Sequence, residues 1–234
     1  MIVSNQHIRR IFKDSPCQGR SPCPGLNALA NHGYLPRSGK NIDMSMVQDA
    51  ANKAHNFELN VFIQPFQQAI DFKLSTTGNY STINLEDLKL HDTIEIDGSL
   101  SRNDFYFGDD LHFDPLIWAG TAKSLSLYNS SGEGGLYISV EMAARARAAR
   151  VADAVARNPT FNASETEISG SPGTTGLWLT TLWDPSVNAT HKDWTSMWFE
   201  FERIPFLLGY RKPSVPTSGE FLGAMVGAVQ GVPV

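Results

Sequence analysis

Cysteine, positive charge and long apolar runs are all scarce in this chain, and each shortage excludes a class of protein. Only two of the 234 residues are cysteine, Cys17 and Cys23. That excludes a disulfide framework and the four-ligand zinc patterns, and their spacing is not the C-x-x-C of thioredoxin-like redox proteins. Lys and Arg total 19 against 24 Asp and Glu, a net charge of −5 with no basic tract, which argues against a nucleic-acid partner. The longest apolar stretch, 221–229, is far too short to cross a membrane. No P-loop, G-x-G-x-x-G, H-E-x-x-H or G-x-S-x-G motif occurs. Residues 1–10 lack the apolar core of a signal peptide. Four Asn-x-Ser/Thr sequons at Asn79, Asn129, Asn162 and Asn188 suit a secreted protein instead. The expectation is therefore intracellular if Met1 is the native start, with secretion the alternative.

The length fits one domain over 1–234, with 1–20 an irregular arm and 214–234 a Pro/Gly-rich tail. Between them the pattern is mainly helical, an all-α fold with no alternating strand series. Asp43 or Ser45 can cap a helix to about His55, with Met46, Ala50, Ala51 and Ala54 as its apolar face. A second helix over 59–70 is kinked or broken by Pro65, and a short one follows over 85–90. Alanine and arginine favour a long helix over 140–157, with Arg145, Arg147, Arg150 and Arg157 on a solvated face. Helices over 176–183 and 193–202 come last, and Trp194, Trp198 and Phe201 form a core stripe in the latter.

Pro22-Cys23-Pro24 is the most informative tripeptide. Pro24 suits the first position of a helix, Leu26, Leu29 and Ala30 supply its apolar stripe, and Gly33 stops it. Cys23 then sits where unpaired N–H groups and the helix dipole favour an anion, a setting expected to lower a thiol's pKa. Cys17 lies in a turn-rich lead-in. It reads as a free surface thiol or an intermolecular partner, and a short-range disulfide to Cys23 is the alternative.

The run Pro22-Cys23-Pro24-Gly25-Leu26-Asn27-Ala28-Leu29-Ala30-Asn31-His32-Gly33 resembles the proximal loop of the fungal haem-thiolate peroxidases, the chloroperoxidase and peroxygenase family. Two later blocks extend the resemblance: Glu95-Ile96-Asp97-Gly98-Ser99-Leu100-Ser101-Arg102, and Glu202-Arg203-Ile204-Pro205 with Gly209-Tyr210-Arg211-Lys212-Pro213. It implies that Cys23 is the axial ligand of a haem b, whose thiolate pushes electron density to iron and favours O–O cleavage. It also implies a Mg²⁺ or similar cation near a haem propionate, held by Glu95, Asp97, Ser99 and the backbone carbonyl of Ile96.

The family's acid–base pair is substituted. Ile96 stands where many members carry histidine, and Thr174 where short members carry a distal glutamate. Glu165 or Glu167 is a candidate replacement, separated from the site by an expected turn at 170–173. An apolar distal pocket of Ile96, Thr174 and the aromatic side chains Phe62, Phe66 and Trp178 would suit a bulky hydrophobic substrate. The implied activity is peroxide-driven oxygenation or oxidation of a hydrophobic small molecule, with impaired peroxide activation. The alternatives are a non-peroxidative biosynthetic enzyme for a fungal metabolite, or a non-catalytic haem-binding relative. Hydrogen peroxide is the expected co-substrate, nucleic acid and membrane are not expected, and a homodimer stays open.

Overall fold

The computed structural model describes residues 19–162 and 164–234, the side chains of 165–169 excepted. Cys17, most of the N-terminal arm and the side chains of Glu165 and Glu167 lie outside the described residues. The described elements are mainly helical. They are α1 (Pro24–His32), α2 (Met44–His55), α3 (Ile63–Asp71), α4 (Pro115–Ser124), α5 (Val140–Arg157), α6 (Glu165–Leu182), α7 (Lys192–Phe201) and α8 (Gly219–Gln230). Strands β1 (Ile42–Asp43) and β2 (Thr82–Ile83) pair antiparallel, and β3 (Tyr137–Ile138), β4 (Trp183–Asp184) and β5 (Ala189–His191) form a sheet in the order β3-β5-β4.

The helix starts follow local chemistry. Pro24 opens α1, and Gly33 closes it at φ 79°, its N–H donating to Ala30 O. Asp43 caps α2 by accepting from Met46 N at 2.9 Å. Asp114 caps α4, with Pro115 in the first turn. Pro65 falls within the first turn of α3 and breaks nothing, because the helix begins only at Ile63.

Three expectations need correction. Arg150 is buried rather than solvated: it pairs with Asp104 and donates from Nε to Ser99 O at 3.0 Å. Residues 170–173 form no turn but lie inside α6, Pro172 included. Residues 214–234 are no tail, since α8 makes the most extensive helix–helix contact among the described residues, with α6. A Cβ on Gly176 would lie 2.6 Å from Val226 Cγ2, so only glycine allows that approach.

Candidate functional site

The Cys23 turn is shaped by its neighbours. Ser21 Oγ accepts from Cys23 N at 3.0 Å. Asn27 clamps Ser21 from both ends of its amide, accepting from Ser21 N at 2.8 Å and donating to Ser21 O at 2.7 Å. Asn27 N donates to Cys23 O at 3.2 Å, the first hydrogen bond of α1. Arg20 braces the same turn by donating to Asn31 Oδ1 at 2.7 Å and to Arg37 O at 2.9 Å. The cysteine backbone is thereby extended, at φ −82° and ψ 112°, as a helix cap requires.

Cys23 is half-buried and free. Its sulfur makes no complete capping hydrogen bond, though the N–H groups of Leu26 and Gly25 draw its pKa down, as does Arg102. Burial outweighs them and pushes the thiol above its ordinary value. The expected lowering is thus reversed, because the dipole of one helix turn does not offset desolvation of a thiolate. A cation bonded to sulfur would supply what the N–H groups lack, so the donor set suits a thiolate metal ligand. The Cβ position of Gly25 lies 3.7 Å from Cys23 Sγ and 3.0 Å from Trp198 Cζ2, which places the indole close to the sulfur.

The acidic block 95–104 packs against α5. Gly98 turns at φ 76° and donates to Asp104 Oδ1 at 3.0 Å, and Arg150 bonds the same carboxylate. Asp97 accepts from Phe105 N at 2.9 Å and from Asn158 Nδ2 at 2.6 Å. Glu95 Oε2 faces His91 Nδ1 at 2.8 Å, and His91 stacks on Phe105 at 4.6 Å. Glu95 Oε1 is buried with no partner. Burial pushes Glu95 up to about 8, against the pull of His91. The residues are not assembled as an ion cage. Both oxygens of Asp97 serve protein donors, and among the described residues no three His, Cys, Asp or Glu are grouped to hold a metal. The four-residue spacing from His91 to Glu95 is the signal in the sequence that marks this pair.

Ile96 and Thr174 come to one region. A Cβ on Gly170 would lie 3.2 Å from Ile96 Cδ1, and Thr174, four residues on in α6, shares that helix face. Thr174 is exposed and donates to Ser171 O at 3.1 Å. Ile96 is buried. Phe66 and Trp178 belong to the core, with Trp178 edge-on to Phe199 at 5.7 Å. Phe62 packs edge-on to Phe57 at 5.2 Å.

Residues 12–215 match the family model described as peroxidase, family 2. An aromatic peroxygenase of Coprinellus radians is 32% identical over 157 residues, covering 61% of this chain and 58% of that protein. An aromatic peroxygenase of Cyclocybe aegerita is 29% identical over 226 residues, covering 89% and 59%. A chloroperoxidase of Leptoxyphium fumago is 35% identical over 101 residues, covering 40% and 26%. The chain thus spans less than two thirds of the length of these relatives.

Proposed function

The chain belongs to peroxidase family 2, the fungal haem-thiolate peroxidase family, and on that footing we propose that Cys23 is the axial ligand of a haem b in an enzyme that uses hydrogen peroxide to oxidise or oxygenate a hydrophobic organic molecule. The observation that carries this reading is the seat of Cys23, a half-buried sulfur in a turn clamped by Ser21 and Asn27, facing two backbone N–H groups. A thiolate-ligated haem bound there would supply the electron donation that favours O–O cleavage.

The chain's own residues have separate tasks. Ser21, Asn27 and Arg20 fix the direction of the sulfur. Arg102, buried and positively charged, stabilises its thiolate form. On the other side, Ile96 carries no proton, and Thr174 can orient a peroxide by hydrogen bonding but is no base near neutral pH. A positioned acid–base group is worth about two to four orders of magnitude in rate, so peroxide activation is slow in this protein. The cation reading rests on the buried, unpartnered Oε1 of Glu95. Asp97 would have to release Asn158 or the Phe105 N–H to join it.

The reduced, carbon-monoxide-bound protein tests the ligand. It should absorb at the P450-like position, and Cys23→Ala should lose that band. A histidine-type spectrum, or unchanged haem retention in Cys23→Ala, overturns the reading. A thiolate spectrum without turnover of any aromatic substrate by peroxide would favour the non-oxidative alternatives.

A further inference from the structure

A cleft of about 350 Å³ opens between the β3-β5-β4 sheet and the loop after α7, lined by Trp183, His191, Trp194 and Leu208, with Asp184 and Arg211 supplying charge. His191 lies nearly flat on Trp194 at 4.0 Å, held there by Asp184 Oδ2 at 2.8 Å from Nε2. Trp194 Nε1 donates to Leu208 O at 3.0 Å. The indole is therefore fixed on its face and at its edge, in a wall made of aromatic surface.

Behind it runs an unbroken line of rings. Trp194 meets Tyr210 edge-on at 5.3 Å, Tyr210 meets His55 at 5.7 Å, and His55 meets Trp198 at 5.5 Å. Trp198 Cζ2 ends 3.0 Å from the Cβ position of Gly25, and Cys23 Sγ lies 3.7 Å from the same point. All four rings are buried. A plain apolar core would explain stacked rings, but it would not need the polar centre of this line. The Tyr210 hydroxyl donates to Thr181 O at 3.0 Å and also lies 2.8 Å from His55 Nδ1, which accepts from it when the ring carries its proton on Nε2.

Electron tunnelling falls exponentially with distance, and easily oxidised rings divide one long jump into short ones. We propose that the cleft is a second oxidation site for electron-rich phenols, in which Trp194 takes one electron from the bound phenol and Tyr210 and Trp198 relay it, across the His55 ring that lies between them, to the cofactor at Cys23. The proposal rests on the haem reading of Cys23 and deepens it. The phenol O–H bond breaks, its proton passes to water at the open cleft, and a phenoxyl radical leaves. Trp194, oxidised by losing an electron inward, is reduced by the phenol. When Tyr210 gives up an electron its hydroxyl proton crosses to His55 Nδ1, and it returns with the next electron. Two phenols supply two electrons, which with two protons reduce one hydrogen peroxide to two waters. Burial keeps His55 neutral, its pKa lowered to about 3, so Nδ1 is open to that proton in the tautomer protonated at Nε2.

The test uses the haem-loaded protein, and the carbon-monoxide spectrum is recorded first so that failure of the haem reading is seen separately. Peroxide is added without substrate in the presence of a nitroso spin trap, and adducts are mapped by mass spectrometry. Adducts on Trp194 or Tyr210 are expected. Trp194→Phe should then lower kcat/KM about tenfold for a phenol tethered to a polyethylene glycol chain too bulky for a buried pocket, and leave naphthalene oxidation within about twofold. A thiolate spectrum with adducts confined to other residues, or equal loss on both substrates in Trp194→Phe, overturns the second site. The adduct map is made on the unmodified protein, so it decides the matter even if the variant folds poorly.

Discussion

Arg102 donates through Nη2 to Glu202, joining the acidic block to the end of α7 at a point where both residues act electrostatically on Cys23. Glu202 Oε1 also accepts from Asn27 Nδ2 at 2.8 Å, and its carbonyl accepts from Asn31 Nδ2 at 3.1 Å. Three segments distant in sequence therefore meet at one carboxylate, which stands on a left-handed residue at φ 51°. Arg102→Met leaves that carboxylate with a single side-chain donor in a largely buried place. The expected cost is about 3 kcal/mol of unfolding free energy, the usual scale for breaking a buried pair. Urea denaturation of the cofactor-free protein measures it, and a loss below about 1 kcal/mol would show the pair to act as a solvent-screened one.

Gly25→Ala sets two effects against each other. Helix propensity favours alanine by about 0.5–1 kcal/mol. The added methyl would lie 3.0 Å from Trp198 Cζ2 and 3.7 Å from Cys23 Sγ, and overpacking a rigid indole costs about 1–3 kcal/mol. Net destabilisation is expected, together with a shifted carbon-monoxide band, because the sulfur shares the crowded space. A variant as stable as the parent with an unmoved band would refute this account of the crowding.

Thr174→Glu should restore a carboxylate to the distal helix. Peroxide-dependent oxidation of naphthalene is expected to rise about tenfold or more, with a further gain on adding Ile96→His. Equal rates in parent and variant would remove Thr174 from the list of rate-limiting positions.

Acid should weaken the fold through its buried histidines. His55 is held neutral with a pKa of about 3, chiefly by burial. His32, whose Nε2 accepts from Ile204 N at 3.1 Å, is lowered to about 4 for the same reason, helped by Arg203 and Arg37. Unfolded histidine titrates near about 6.5, so the unfolded state binds more protons below that pH. Stability is therefore complete above about pH 6.5 and falls as the pH drops toward the folded values, with a slope from His55 of about 1.4 kcal/mol per pH unit. His55→Phe should be less stable near neutrality, having lost its bond to Tyr210, yet show a flatter acid limb. Denaturant midpoints across this range provide the check, and an unchanged acid slope would count against His55.

Features written in adjacent residues were legible in the sequence. Pro24, Gly33 and Asp43 mark helix ends through backbone rules that need no distant partner, and the position of Cys23 at a helix mouth follows from them. Features decided by tertiary contact were not. Arg150 reads like its neighbours Arg145 and Arg157 until Asp104 arrives from 46 positions away. Gly170-Ser171-Pro172-Gly173 has turn chemistry, but packing against α8 and α5 keeps it helical. The glycines of α8 lower its propensity, and its close approach is permitted by Gly176 of α6 rather than by any of them. The direction of the Cys23 shift was misjudged because the N–H groups are visible in sequence and the burial opposing them is not.

Gly176 bears on Val226, and two positions before it on the same helix stands Thr174. Helix α8 is thus a strut beneath the helix that carries Thr174, the residue proposed for the distal position. Changes of side-chain size at 226 would raise or tilt that helix without touching the site itself. The far end of the chain is an adjusting screw for the site's dimensions, and substitutions there can retune which molecules fit while every residue of the chemistry stays the same.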